Sequence, residues 1–240
     1  MRLLWIFLIC IPLLANEKID LSLEPLQPIT ENKKLNTKKI KLGEKLFFDK
    51  RFSKDNSISC ASCHIIEKAG VDNLKNSSGV DGKKALMNTP SVFNSSNNFV
   101  QFWDGRARTL EEQIDGPIHN TVEMNTNWID IIKKLKKDNF YSKKFKEIYH
   151  EELNKLNIKN AIVEYEKSLI TPSRFDKYLL GDSTAISQKE KEGYRLFKSY
   201  GCTSCHQGKN IGGNLYQKLG VFKQYFQNEN MQNLGRYNIL

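Results

Sequence analysis

Two short motifs carry the most specific chemistry in this sequence. Each has two cysteines separated by two residues and followed at once by a histidine, and their positions are Cys60, Cys63 and His64 for the first motif and Cys202, Cys205 and His206 for the second. The two thiols of such a motif can add to the vinyl groups of a haem, and the histidine then ligates the iron. The sequence therefore predicts two covalently bound c-type haems, with His64 and His206 as iron ligands.

Three other uses of paired cysteines stay open at this point. A structural zinc site needs four nitrogen or sulfur ligands around one metal, whereas these two pairs lie far apart in the chain and each has its own histidine. A thioredoxin-like motif requires a strand followed by a helix, a context that neither motif has. A disulfide within each pair would suit an oxidising compartment, but it leaves the histidines unexplained.

A weak internal repeat indicates the helices that position the motifs. The pattern Gly-x-x-Leu-Phe ends at Phe47 before the first motif and at Phe197 before the second,. Ser187 and Glu190 form a capping box at the start of the second of these helices, and Gly201 is placed to end it,. We expect a helix followed by a haem-binding turn in each half of the chain.

The rest of the chain favours a mainly α protein. Apolar residues recur at helical spacing in residues 128–135 and 161–169, and no segment alternates apolar and polar residues as a sheet would require,. Residues 182–187 are small and polar, as in a linker. We expect two cytochrome c-like domains with one haem each, an N-terminal domain at 16–181 and an incomplete C-terminal domain at 182–240.

The first residues resemble a targeting signal. Residues 3–14 form an unbroken apolar run after a basic start, shorter than the roughly 20 residues of a membrane-spanning helix, and Ala15 offers a cleavage site,. We interpret residues 1–15 as a cleaved signal peptide and expect a periplasmic protein; an uncleaved anchor or a lipoprotein at Cys10 are the alternatives.

The formal net charge is +10, concentrated in lysines at 33–45 and 133–146. Such a surplus can indicate nucleic-acid binding, but export argues against that partner. A solvated lysine face that steers a redox partner is the simpler interpretation.

The segment between the motifs resembles the dihaem cytochrome c peroxidase and MauG superfamily. The resemblance extends over most of the chain, from about residue 41 to residue 237, and it includes residues 42–60 and the glycine pair at 212–213. Its signature runs are 88–94 (NTPSVFN), 102–107 (FWDGRA), 110–113 (LEEQ), 116–117 (GP) and 123–124 (EM).

The resemblance implies a peroxide site at the first haem. There Glu123 would be the distal acid–base, Gln113 an amide that hydrogen-bonds peroxide, and Trp103 an electron relay between the haems. Without the resemblance, Glu123 would be read as a loop glutamate, Gln113 as a helix-surface residue and Trp103 as a core side chain.

Two further residues have a role through the resemblance and a simpler alternative. Arg106 would pair with a haem propionate, or form a salt bridge near Asp104. Asn88 matches a family ligand of an interdomain calcium, or is a turn former before Thr89-Pro90.

The sequence departs from the family pattern at two places. Val80 stands where family members that need reductive activation have a histidine ligand, so we expect an open distal position on the first haem. The chain ends before the segment that supplies the methionine ligand of the second haem. Since Met231 is the one methionine after His206, we expect that haem to lack stable methionine ligation.

The resemblance therefore implies a peroxidase that reduces hydrogen peroxide to water with electrons from a small cytochrome c or copper protein. A dihaem carrier without turnover and a MauG-like oxidase of a protein side chain are the alternatives, and a homodimer is one assembly to test. His119 is expected at the surface rather than in the distal pocket. His150 is expected at the C-terminal end of a helix, where a cationic side chain interacts favourably with the helix dipole.

Overall fold

We describe the chain from a computed structural model that covers residues 19–216, 223 and 235–236. This part of the chain is mainly helical, and it contains isolated β-bridges but no sheet. The predicted signal peptide and Met231 lie outside the described residues. The α-helices are α1 (Thr37–Phe47), α2 (Cys60–Cys63), α3 (Leu110–Gln113), α4 (Asp115–His119), α5 (Trp128–Lys136), α6 (Asn139–Tyr149), α7 (Lys155–Ser168), α8 (Arg174–Leu179) and α9 (Gln188–Ser199).

The main core lies between α1 and α7. Gly43 allows the two helices to cross closely, because a Cβ at this position would lie 1.9 Å from the carbonyl oxygen of Ala161. The rings of Phe47 and Tyr165 pack edge to face at 5.2 Å. Helices α5 and α6 close the core with fully buried side chains, among them Ile131, Leu135, Tyr141 and Phe145.

The helices predicted from sequence periodicity are present. Trp128 begins α5 and is buried, whereas Leu169 lies at the C-cap of α7 rather than inside it. Before α9, the capping box of Ser187 and Glu190 is formed, and Gly201 has the left-handed conformation (φ 75°) after the helix ends. A helix therefore precedes each motif: α9 ends directly before the second motif, whereas α1 is separated from the first motif by a loop that contains a 3₁₀ turn (Lys50–Phe52).

A smaller apolar cluster surrounds the helix that precedes the second motif. Leu26, Leu179 and Tyr194 are its buried members. Leu26 forms a parallel bridge with Gly208, just after the second motif, and Glu24 forms a salt bridge of 3.0 Å with Lys198 on α9. The N-terminal part of the described chain thus packs beside the second motif.

Candidate active site

The first motif occupies α2, and its histidine follows directly. The helix starts after Ser59, whose backbone N–H donates to the Ser62 hydroxyl at 2.9 Å. Cys60 and Cys63 are free thiols rather than a disulfide. Burial raises the pKa of Cys60 to about 12, with a further contribution from the Glu166 carboxylate.

The His64 ring contacts the backbone of Gly70 and Pro90 and the ring of Phe47. Its Nδ1 lies 3.3 Å from the carbonyl oxygen of Gly70, and its ring centroid lies 6.3 Å from that of Phe47 at the end of α1. A carbonyl oxygen can only accept, so Nδ1 carries the proton and the lone pair is on Nε2. Burial lowers the pKa of His64 and thereby favours the neutral ring that binds metal,.

The second motif repeats this arrangement at the protein surface. Cys202 begins a 3₁₀ turn after Gly201, and neither Cys202 nor Cys205 is in a disulfide. His206 Nδ1 lies 3.2 Å from the carbonyl oxygen of Ile211, and its ring centroid lies 6.1 Å from that of Phe197.

Both motifs fit a haem that is bound through thioethers and a histidine. Each provides two free thiols beside a histidine whose Nδ1 is taken by a backbone carbonyl, which is the arrangement that orients an imidazole for a metal through Nε2,. No group of three or more His, Cys, Asp or Glu side chains suited to an ordinary metal site occurs in the described part of the chain.

Glu123 lies in a tight turn after α4. The Asn120 side-chain amide donates to Glu123 Oε1 at 2.7 Å, and the Glu123 carbonyl accepts from the Val80 N–H at 2.9 Å. Burial raises the pKa of Glu123, while the Asn120 hydrogen bond and the Arg106 charge lower it. A carboxyl group with a raised pKa is a candidate for proton exchange with a substrate.

Electrostatic contacts connect Glu123 with the first motif. The Glu123 carboxylate contributes to the raised pKa of Cys63, after burial and Asp72. The charge of Arg106, in the loop after Gln101, lowers the pKa of Glu123. Glu123 thus interacts electrostatically with Cys63 and Arg106, two residues that are distant from it in the chain.

Arg106 is engaged by its own loop. Its Nη1 contacts both carboxylate oxygens of Asp104, at 2.8 and 2.9 Å, and its guanidinium lies 3.5 Å from the centroid of the Phe102 ring. Of the two roles expected for Arg106, the structure contains the salt bridge with Asp104.

Trp103 and Gln113 are both accessible from solvent. Trp103 is 49% exposed, and its indole nitrogen would lie 3.1 Å from a Cβ placed on Gly235. Gln113 is the last residue of α3 and is partly buried. Their roles in electron relay and peroxide binding stay predictions.

Asn88 is exposed and lies at an open pocket of about 420 Å³, together with Asp72 and Thr89. Its role as a calcium ligand stays a prediction. His119 is exposed at the end of α4, and His150 is the C-cap of α6, in the left-handed conformation with φ 58°.

The structure adds three residues that the sequence did not single out. Asn120 holds the Glu123 carboxyl, and Gly79 lies against its backbone, since a Cβ there would be 2.8 Å from Glu123 Cα. Glu166 on α7 is buried, and its Oε2 has no hydrogen-bond partner among the described residues. The spacing of Asn120 and Glu123 suggests a side-chain contact within a turn. The burial of Glu166 could not be predicted from the sequence, because it is one of several charged residues in the same helix.

Comparisons with known proteins show which family the chain resembles. A family model described as di-haem cytochrome c peroxidase matches residues 37–184. The chain is 44% identical over 219 residues to cytochrome c peroxidase Ccp of Escherichia coli (strain K12), covering 90% of this chain and 47% of that protein. It is 45% identical over 204 residues to cytochrome c551 peroxidase of Nitrosomonas europaea, covering 84% of this chain and 61% of that protein. The chain thus spans about half to three-fifths of the length of these relatives.

Solved structures show the same fold. A MauG-like protein associated with microbial copper homeostasis matches with a TM-score of 0.73 at 24% identity, over 89% of this chain and 68% of that one. The diheme peroxidase BthA from Burkholderia thailandensis matches with a TM-score of 0.60 at 22% identity, over 75% of this chain and 52% of that one. Within residues 19–216, 223 and 235–236, no helix is both long and apolar enough to span a membrane.

Proposed function

The chain belongs to the di-haem cytochrome c peroxidase family, and we propose that it is a periplasmic peroxidase that reduces hydrogen peroxide to two waters with two protons and two electrons. The observation that carries this proposal is the partly buried Glu123 carboxyl, which accepts a hydrogen bond from Asn120 and interacts electrostatically with Cys63 of the first motif. An acid–base group beside a haem-attachment site is what cleavage of an O–O bond requires.

We assign the binding of two haems to the two motifs, with thioether bonds to the cysteines and His64 and His206 as iron ligands. When bound, the haems supply the redox chemistry that the side chains lack. The contacts of His64 and His206 with backbone carbonyls orient both rings for this ligation,. Calcium bound with the help of Asn88 is part of the proposal.

Three side chains then have separate roles in the peroxide reaction. Glu123 accepts a proton from hydrogen peroxide at a carboxylate oxygen and returns it to the oxygen that leaves as water. Gln113 orients the peroxide through its amide. Arg106 favours the ionised form of Glu123, which keeps the base ready for the next molecule.

Electrons enter through the second motif, which is the more exposed of the two. His206 and Cys205 are exposed at the surface, whereas His64 is partly buried. We propose that a small cytochrome c or copper protein docks transiently on this side and that Trp103 relays its electrons to the first haem. The lysine-rich surface would steer a donor with acidic patches.

The test is a titration of the haem-loaded chain with hydrogen peroxide in the presence of a reduced small cytochrome c. The proposal predicts catalytic oxidation of two donor molecules per peroxide, with water as the product. Reversible oxidation of the haems without turnover would instead identify an electron carrier. Peroxide consumption that oxidises a side chain of a partner protein would identify a MauG-like oxidase.

A further inference from the structure

Asn120 connects the turn that carries Glu123 to α4. Its backbone N–H donates to the Gly116 carbonyl at 3.0 Å, and its own carbonyl accepts from the N–H groups of Glu123 and Asn125, at 3.1 and 2.9 Å. These bonds hold the backbone of the turn. They leave the rotamer of the Glu123 side chain to be determined by other contacts.

The side chain of Asn120 supplies the missing contact. Its Oδ1 accepts from the Val122 N–H at 3.1 Å, and its Nδ2 donates to Glu123 Oε1 at 2.7 Å. Because a backbone N–H can only donate, the contact with Val122 determines which end of the amide is oxygen. The NH₂ group must therefore face the Glu123 carboxyl.

We infer that Asn120 is a positioning residue for the peroxide reaction, which occupies Oε1 of Glu123 and leaves Oε2 as the oxygen that exchanges the proton. The inference deepens the function proposed above and rests on it. A single donor on one carboxylate oxygen orients the other, and orientation of a catalytic group contributes directly to the rate.

The charges around Glu123 support this role. The charge of Arg106, in the loop after Gln101, favours the Glu123 carboxylate. The segment at Gly79 and Val80 contributes backbone contacts to Glu123. Burial disfavours the charged carboxylate, and the Asn120 hydrogen bond offsets part of that cost,. Loss of the bond should make Glu123 harder to ionise.

Two substitutions distinguish the hydrogen bond from Asn120 to Glu123 from the hydrogen bond that holds the turn. Asn120→Asp and Asn120→Ser both keep an oxygen that can accept from the Val122 N–H, as Asx and Ser turns do. Neither keeps the amide donor that faces Glu123. Asn120→Asp also brings a second carboxylate next to the first, which disfavours ionisation further.

The readout is the infrared band of the protonated Glu123 carboxyl in the haem-loaded chain, identified by its absence in Glu123→Gln and titrated without peroxide. We expect the titration midpoint to rise in Asn120→Ser and to rise by about one pH unit or more in Asn120→Asp. The acidic limb of the pH–rate profile for peroxide should move in the same direction. An unchanged midpoint in both variants would overturn the inference.

The same set of proteins separates this inference from the proposed function. An unchanged peroxide rate in Glu123→Gln removes the acid–base role of Glu123 and with it the proposed function. A slow Glu123→Gln with unshifted Asn120 variants leaves that function in place and assigns Asn120 to the turn alone.

Discussion

The backbone N–H of Val80 lies 2.9 Å from the carbonyl oxygen of Glu123 and donates a hydrogen bond to it. The Val80 side chain is 1% exposed. Gly79 allows this approach, since a Cβ there would lie 2.0 Å from the carbonyl oxygen of Val122. The segment at Gly79 and Val80 therefore supports the Glu123 turn through its backbone, and the side chain that it presents at position 80, a valine, cannot ligate iron.

The first prediction concerns Val80. We expect the fully oxidised, haem-loaded protein to react with hydrogen peroxide without prior reduction, because a valine leaves the distal position open. Stopped-flow absorption of the ferric protein measures this reaction. Val80→His should yield a low-spin ferric spectrum at the first haem and a slower reaction, whereas Val80→Ala, the control for altered packing, should stay reactive. Low-spin, unreactive haems in the unmodified chain would contradict the prediction.

The second prediction compares the two glycines of the internal repeat. A Cβ at Gly43 would collide with the Ala161 carbonyl, whereas nothing lies within 4 Å of a Cβ at Gly193. We expect Gly43→Ala to destabilise the protein by about 2 kcal/mol or more, as overpacking does. Gly193→Ala should stabilise it by roughly 0.5–1 kcal/mol, the helix-propensity difference. Urea unfolding measures both, and changes of the same sign would contradict the packing assigned to α1 and α7.

The third prediction concerns the buried Glu166. Burial and the Glu111 charge raise the pKa of Glu166 to about 8, from an ordinary value of 4.5. Between these values Glu166 thus holds more protons in the folded protein than in the unfolded chain, and its contribution to stability should fall as the pH rises from about 4.5 to about 8. The total change is on the order of a few kcal/mol at most.

Glu166→Gln tests this dependence, because glutamine cannot ionise. Its free energy of unfolding should change less between pH 5 and pH 8 than that of the unmodified protein. Glu31→Gln, at an exposed position, serves as the matched control and should keep the original pH dependence. A stability that rises towards pH 8 in the unmodified protein and not in Glu166→Gln would show that Glu166 is ionised and paired.

The fourth prediction is the number of haems. Since each motif has two free thiols and an oriented histidine, we expect two covalent haems per chain in a pyridine haemochrome assay, with haem staining on a denaturing gel. Replacement of both cysteines of one motif by alanine, in Cys60→Ala/Cys63→Ala or in Cys202→Ala/Cys205→Ala, should lower the count to one. A count of one or none in the unmodified chain would contradict the assignment.

The sequence predicted the parts of the site that depend on local patterns. The cysteine spacing, the capping box of Ser187 and Glu190 and the turn at Gly201 are encoded within a few residues each, and all three are present. The carbonyl partners of the histidines, Gly70 and Ile211, were not predicted, because backbone acceptors have no residue-type signature.

Contacts between segments that are distant in the chain could not be predicted from the sequence either. The approach of Gly79 to the Glu123 turn and the closeness of Gly43 to Ala161 depend on how loops and helices cross. A glycine in a helix or a loop has many explanations, and only the packed structure distinguishes them. Glu166 is a similar case, since its burial results from the position of α7 against the rest of the core.

The central claim is that Glu123 is the acid–base group of a peroxide site at the first motif, and the single-turnover reaction of Glu123→Gln with hydrogen peroxide tests it most directly. Glutamine keeps the size of the side chain and an oxygen that can accept from Asn120, but it cannot carry the proton. We expect both haems to stay attached and peroxide cleavage to be slowed by roughly 10²–10⁴-fold, with Glu31→Gln at the original rate. An unchanged rate in Glu123→Gln would contradict it.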